Sequence, residues 1–442
     1  LEPRYAKPVG GTTTDGVLAG APFALKDNFA LEGTQCTCAS RILEGFRPAY
    51  TATVVRRLLE AGAQCVGKTN LDEFAMGSST EHGAFGVTRN PFDTTRTAGG
   101  SSGGSAVAVA SGMASFSLGS DTGGSVRQPA AFTGIVGFKP SYGRFSRYGL
   151  VAFASSLDHP ATFTRSVQDA ARVYGVMAGP DPRDATTLPA PEPIAASIWQ
   201  RQDLRGLKIG VFRQAEETSG IDAPVRAAYE RTRDLMATAG AEIIALDCPL
   251  LKQAVGIYYI LAPAEASSNL ARYDGIRFGP TAPGPAHPNM TAYYADVRTR
   301  GFGPEVTRRI LLGTFVLSAG YFEAYYGKAG QVRALLQQQF ATYFDRTGGG
   351  ATQVDAILTP TTPTLPFALG AKLNDPVAMY LNDLFTIPAN LTGVPAMSLP
   401  VGWSEEGLPI GMHLMTGRLD ESRLFEIGHW LEGNCGFVPR LP

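Results

Sequence analysis

Apolar positions along this chain change period several times, and each change predicts an element. In residues 17–30 the apolar run ends at Leu25, which predicts a buried strand with Lys26 at its exit. Within residues 51–61, Val54, Leu58 and Leu59 recur at helical spacing and predict a helix ending near Gly62, followed by a short strand over 64–66. Residues 70–95 read as irregular. Residues 105–113 predict a helix of small residues, 115–119 a strand, 120–125 a tight turn and 126–129 the start of another helix. A short β-like run at 134–138 and an amphipathic helix at 166–178 precede a Pro- and Asp-rich stretch, 180–193, that reads as a surface excursion. Strand 207–212, helix 223–239 and strand 241–246 alternate as β-α-β, the rhythm of an α/β layered fold. Residues 250–345 read as mostly helical and aromatic, and 354–360 returns to strand. Residues 385–415 and a helix near 424–431 close the fold, with no internal repeat of solenoid period.

Composition adds limits. Hydrophobic content of 44% with 17% charged residues supplies a large core, and a net charge of −1 argues against a broad phosphate-binding surface. No apolar run reaches the roughly 18 residues that span a bilayer, and the start of the chain, at Leu1 rather than Met, carries no signal-peptide pattern and is expected to be trimmed. Five scattered cysteines predict a reducing, cytoplasmic setting. Cys36-Thr37-Cys38 lacks the spacing of a zinc site and reads as buried thiols.

The candidate chemistry lies in two serine-in-glycine clusters, residues 99–104 and 123–125. Residues 62–69 match the letters of a phosphate-binding loop, but the match follows a helix and its middle reads as a strand, the wrong context for that loop. Residues 100–104 match a nucleophile elbow centred on Ser102, which requires a later acid and then a histidine. His159, His287, His413 and His429 follow it, none in a glycine-rich or acidic signature. Ser125 instead sits at a strand-to-helix turn, where the N–H groups of residues 122–125 form a nest suited to a developing oxyanion. A serine hydroxyl needs a base, and lysine is the simplest one without a suitable histidine. Keeping a lysine neutral near pH 7 lowers a reference value near 10.4 by roughly three units, about 4 kcal/mol, which burial supplies. Lys26 is the best-placed candidate, with Lys68 and Lys139 as competitors.

These residues resemble the amidase signature family. Lys26 in LKDN, the GGSSGG cluster and the segment SDTGGSVRQPAAFTGIVGFKPSYGR match in order, and the likeness covers nearly the whole chain. The resemblance implies an α/β/α sandwich around a large mixed β-sheet, one domain over 1–442. Its catalytic core would cover about 17–180, with a helical substrate or partner excursion at about 250–345 and a return to the core at about 352–442. It implies Ser125 as nucleophile, Ser101 as the bridging serine with a cis peptide, and Lys26 as base. It further implies an oxyanion hole of Thr122, Gly123 and Gly124, supported by Asp121 and Arg127. Gly67–Thr69 is also a landmark of the family. Segments 258–279, 301–329 and 375–400 resemble the glutaminase branch of the family, whose members serve aspartyl/glutamyl-tRNA amidotransferases. That branch implies glutamine as substrate, bound by Tyr258, Arg309 and Asp383, with no cofactor or metal in this chain. It also implies B and C subunits completing a heterotrimer, ATP and magnesium on the B subunit, and tRNA reached through it. From the residues alone, Arg309 reads as a surface arginine beside Arg308. The alternative is a stand-alone amidase of the same family acting on another small amide, which would need neither Arg309 nor Asp383. The sequence departs from the family in two places. The helical segment usual ahead of the lysine strand is largely absent, and His159-Pro160-Ala161-Thr162 replaces a Gln-Ile-Gly-Pro-like sequence, where an altered loop is expected.

Overall fold

Eleven strands among the described residues pair into one mixed sheet in the computed structural model, which describes residues 9–10, 16–218, 220–279, 287–345 and 352–442. They are β1 (Val9–Gly10), β2 (Pro22–Lys26), β3 (Gln64–Thr69), β4 (Phe116–Asp121), β5 (Val136–Lys139), β6 (His159–Thr164), β7 (Lys208–Phe212), β8 (Glu242–Leu246), β9 (Ala356–Pro360), β10 (Ala396–Trp403) and β11 (Pro409–Thr416). Their spatial order is β1-β3-β2-β4-β6-β5-β10-β11-β9-β7-β8. β3, β2 and β4 run parallel, as do β8, β7 and β9. Antiparallel pairing through β6, β5, β10 and β11 joins the two parallel groups.

Alternation along the strands sets two faces. Phe23 and Leu25, Phe116 and Leu118, and Met412 and Leu414 enter one apolar cluster, covered by the helices Thr53–Glu60, Val167–Met177, Ala223–Thr238 and Glu421–Asn434. Ile357, Ala396 and Met415 enter a second cluster with the helices Ala254–Asn269, Lys328–Phe344 and Ile387–Thr392. Ala161 and Phe163 of β6 meet the short helices Gly103–Ala110 and Arg127–Thr133. The sheet is thus sandwiched between helical layers, the α/β arrangement that the sequence implied.

Residues 62–69 form no phosphate loop, as their context implied; the strand read over 64–66 is β3 and runs to Thr69. The 159–162 departure is not a loop but part of β6, pairing His159 with Asp121 on β4, and the proline in its sequence hides the strand. The 180–193 stretch runs over the surface as expected, and buried Asp181 anchors it by accepting hydrogen bonds from the hydroxyls of Ser146, at 2.7 Å, and Thr53. The segment expected to lack helix ahead of the lysine strand lies in residues 1–8 and 11–15, outside the described residues.

Parallel order brings the carboxyl ends of β2, β3 and β4 to one edge of the sheet, where ligand sites of α/β folds are built. A buried ion pair locks the turn after β4. Asp121 and Arg127 meet side-on, with Nε to Oδ2 at 3.0 Å and Nη2 to Oδ1 at 2.8 Å. Arg127 also donates to the Thr386 carbonyl at 2.8 Å and Asn390 Oδ1 at 2.6 Å, and it lies 2.9 Å from His413 Nε2. Burial would raise the Asp121 carboxyl, but the Arg127 charge and its hydrogen bonds hold it well below the usual carboxylate range. Asp121→Asn leaves the Arg127 guanidinium buried without its counter-ion. We expect the unfolding free energy to fall by about 3–5 kcal/mol, read as an earlier urea midpoint with an unchanged slope.

Candidate active site

Lys26 closes β2 and is completely buried. Its Nζ lies 2.7 Å from Ser101 Oγ, 2.7 Å from Ser102 Oγ and 2.9 Å from Ser120 Oγ. Three hydroxyls therefore occupy the amine's three hydrogen-bonding directions. Burial lowers its pKa from 10.5 to about 7, against the opposing charges of Asp72, Asp121 and Asp158. Ser101 follows a cis peptide bond from Gly100.

Ser125 lies on the turn between β4 and the helix Arg127–Thr133. Its carbonyl accepts the Ser102 N–H at 3.2 Å, which ties the two serine clusters together. Ser125 is 8% exposed, whereas Ser101 and Ser102 are fully buried. Among the described residues none hydrogen-bonds the Ser125 hydroxyl. The Lys26–Ser101 contact is formed in the structure and a Ser101–Ser125 contact is not; such bonds tighten on substrate binding in many enzymes. Ser102, fully buried and bonded to a lysine rather than a histidine, cannot meet a substrate as the elbow reading requires.

The turn itself admits only glycine. A Cβ on Gly123 would lie 2.7 Å from the Tyr258 ring. Gly124 has φ +146, and a Cβ there would lie 2.2 Å from Thr386 Oγ1. Thr386 Oγ1 donates to the Gly123 carbonyl at 2.7 Å, and Thr122 Oγ1 donates to Asp158 at 2.7 Å. Burial raises the Asp158 carboxyl to about 6, against the Thr122 hydroxyl.

Two of the three expected substrate residues pack against this turn, and the charge of the third, Arg309, acts on both. Tyr258 is buried against Gly123. Asp383 is buried and accepts the Ser78 hydroxyl on Oδ2 at 2.5 Å, while its Oδ1, next to Gly124, has no partner among the described residues. Burial raises its carboxyl to about 7, with Ser78 and Arg309 opposing. Arg309 is not the surface residue its sequence suggests. It is buried on the helix Pro304–Val316, with Nε on Glu305 at 2.8 Å and its guanidinium against the rings of Tyr259, Tyr380 and Phe153. Among the described residues its Nη groups carry no hydrogen bond.

The competing lysines serve elsewhere. Lys68 pairs with Asp27 at 2.5 Å and donates to the carbonyls of Phe29 and Gln35. Lys139 donates to the carbonyls of Pro140 and Val394, and burial pushes its amine well below the ordinary lysine value. Of the histidines, His413 is buried against Arg127, and His159 lies buried on β6 with Nδ1 2.5 Å from the Leu157 carbonyl. The thiols of Cys36 and Cys38 are buried and free, and no group of three His, Cys, Asp or Glu among the described residues is arranged to hold a metal. Sequence reasoning gave no role to Ser120, Asp158, Ser78, Thr386 or Asn390. Ser120 adjoins the second cluster and was within reach; the others arrive from distant segments.

A family profile described as amidase matches residues 4–425. The A subunit of the glutamyl-tRNA(Gln) amidotransferase of Prochlorococcus marinus is 52% identical over 424 residues, 95% of this chain and 85% of that protein. The protein of the same name from a Synechococcus species is 51% identical over 425 residues, 96% and 85% of the two chains. The crystal structure of the Thermotoga maritima glutamyl-tRNA(Gln) amidotransferase A subunit has a TM-score of 0.81 at 42% identity, covering 97% of this chain and 88% of that one. A 6-aminohexanoate cyclic dimer hydrolase with bound substrate has a TM-score of 0.80 at 26% identity, covering 97% and 87%. Profile and relatives alike extend across the strands and turns that gather the lysine and the two serine clusters, and the chain belongs to the amidase family, as one of its enzymes.

Proposed function

We propose that this chain hydrolyses the side-chain amide of glutamine as the glutaminase component of a tRNA-dependent amidotransferase. One observation carries the reading: a buried carboxylate with an open oxygen, Asp383, lies beside the turn that bears Ser125, and a buried guanidinium, Arg309, whose Nη groups carry no hydrogen bond among the described residues, acts on it electrostatically. Burying a charge is costly unless it is paired, and a free amino acid brings one group for each: its ammonium to Asp383, its carboxylate to Arg309. The names of relatives about half identical over almost the whole chain, A subunits of glutamyl-tRNA(Gln) amidotransferases, support the amidotransferase part of the reading.

In this reading Ser125 attacks the amide carbon while its proton passes through Ser101 to neutral Lys26. The N–H groups of Thr122, Gly123 and Gly124 receive the oxyanion. Return of the proton to the amide nitrogen breaks the C–N bond, releases ammonia and leaves a glutamyl ester on Ser125. Water, deprotonated by the same relay, hydrolyses that ester to glutamate. Asp121 and Arg127 hold the turn in place. The chain acts as one domain and itself needs no cofactor or metal. The ammonia passes to a B subunit, where ATP and magnesium activate Glu-tRNA(Gln) or Asp-tRNA(Asn), and a C subunit completes a cytoplasmic heterotrimer. No helix among the described residues is long and apolar enough to cross a membrane.

Ammonia release from glutamine, measured with the B and C subunits present, tests the reading. Ser125→Ala lowers kcat by at least about 1,000-fold. Cleavage of a neutral primary amide with glutamine left intact would favour a stand-alone amidase instead. Arg309→Ala raises KM for glutamine by about 100-fold through the lost charged hydrogen bonds and spares a neutral amide. The pH profile has a definite sign. Lys26 works as the amine and Asp383 as the carboxylate, and both titrate near 7. Activity is therefore lost as pH falls through about 7, and kcat/KM rises to a plateau above it.

A further inference from the structure

A second carboxylate organises the site without touching the place where a substrate would lie. Asp72 is fully buried, just after β3. Its Oδ2 accepts the N–H groups of Ser79 at 3.2 Å and Thr80 at 2.8 Å, and its Oδ1 those of Glu81 and His82, both at 3.1 Å. Its own N–H donates to the Ser101 carbonyl at 3.2 Å. Four N–H dipoles converge on this one carboxyl group and fasten the loop to it. The chain closes tightly around it. A Cβ on Gly100 would lie 2.2 Å from Asp72 Oδ2, and Phe74, Ala75 and Thr80 all take left-handed φ values, between 50° and 62°.

The segment so fastened reaches two functional parts. Ser78 donates its hydroxyl to Asp383 and its carbonyl accepts from Gln128 Nε2 at 2.9 Å, while Gln128 Oε1 accepts the Gly100 N–H at 2.8 Å. Thr80 Oγ1 donates to the Gly99 carbonyl at 2.7 Å and accepts the Gly103 N–H at 3.0 Å. We propose that Asp72 is a positioning residue for both ends of the reaction, holding Ser101 for proton transfer and, through Ser78, holding Asp383 for the substrate ammonium. The inference rests on the glutaminase reading. The charged and titratable groups acting on Lys26 are Asp72, Asp121, Asp158 and Cys38, so Asp72 also contributes to keeping that amine from falling below about 7.

The test is kcat and KM for glutamine against pH in the complete complex. A wild-type complex that leaves glutamine intact sinks the glutaminase reading; the Asp72 variants judge this inference once wild-type activity is in hand. Asp72→Asn presents an amide to N–H donors and removes the charge. It lowers kcat/KM by about 100-fold, the scale of a misplaced catalytic group, and moves the acidic limb of kcat to lower pH. Asp72→Glu keeps the charge but displaces it, so activity falls while the limb stays. An Asp72→Asn complex within about threefold of wild type in kcat/KM, or one that loses activity with its limb unmoved, overturns the proposal. Should Asp72→Asn fail to fold, Ser78→Ala decides: cutting the link to Asp383 raises KM by about tenfold with kcat kept, and an unchanged KM overturns the proposal equally.

Discussion

The cost of burying one amine governs this molecule. Moving the Lys26 titration from 10.5 to about 7 corresponds to on the order of 5 kcal/mol, a sum comparable with the net stability of many domains. Desolvation at the end of β2 supplies the shift, and three serine hydroxyls keep the buried nitrogen hydrogen-bonded. The surrounding carboxylates work the other way, so the amine settles at a value useful near neutrality rather than far below it. Each carboxylate is in turn occupied: Asp121 by Arg127, Asp158 by Thr122 and the Phe153 N–H, Asp72 by four main-chain donors. The fold thus places three anions around a lysine without letting any of them form a direct ion pair with it. A direct pair would stabilise the ammonium and remove the base proposed for Ser125.

The same logic separates two kinds of buried charge. Arg127 and Asp121 satisfy each other and leave nothing to offer a ligand. Arg309 and Asp383 are each held by one partner, Glu305 and Ser78, and each keeps one side open. The zwitterion site proposed above rests on that incompleteness, and the aromatic rings of Tyr259, Tyr380 and Phe153 shield the arginine without neutralising it.

Local features carried much of this in the sequence. The run ending at Leu25 announced β2 and the chemistry at its end, and the glycine clusters marked turns that a side chain would block. The helix expected over 105–113 begins two residues earlier and stops at Ala110, because Gly112 takes a left-handed φ of 71°. Arg309 beside Arg308 looked solvent-facing, since nothing local reveals the rings that enclose it. Strand β6 was missed because His159-Pro160 breaks the usual strand pattern, and its place next to β4 is decided by pairing rather than propensity. Asp72 lay in a stretch without period, and its role depends on a loop returning seven to ten residues later. Asn390 lies 269 residues from its partner Asp121, a relation that no single-sequence pattern carries.

That last separation has a consequence for the making of the protein. Lys26, the three serines around it and β6 all lie within the first 164 residues, so every residue proposed to move the proton is translated early. The Arg127 guanidinium reaches its partners at Thr386, Asn390 and His413 only when the last strands have left the ribosome. An unfinished chain therefore holds a charged core side chain with part of its cage missing. A chain that stops before Thr386 cannot complete the hydrogen bonds that hold Arg127, and through Arg127 the Asp121 carboxylate and the turn after β4.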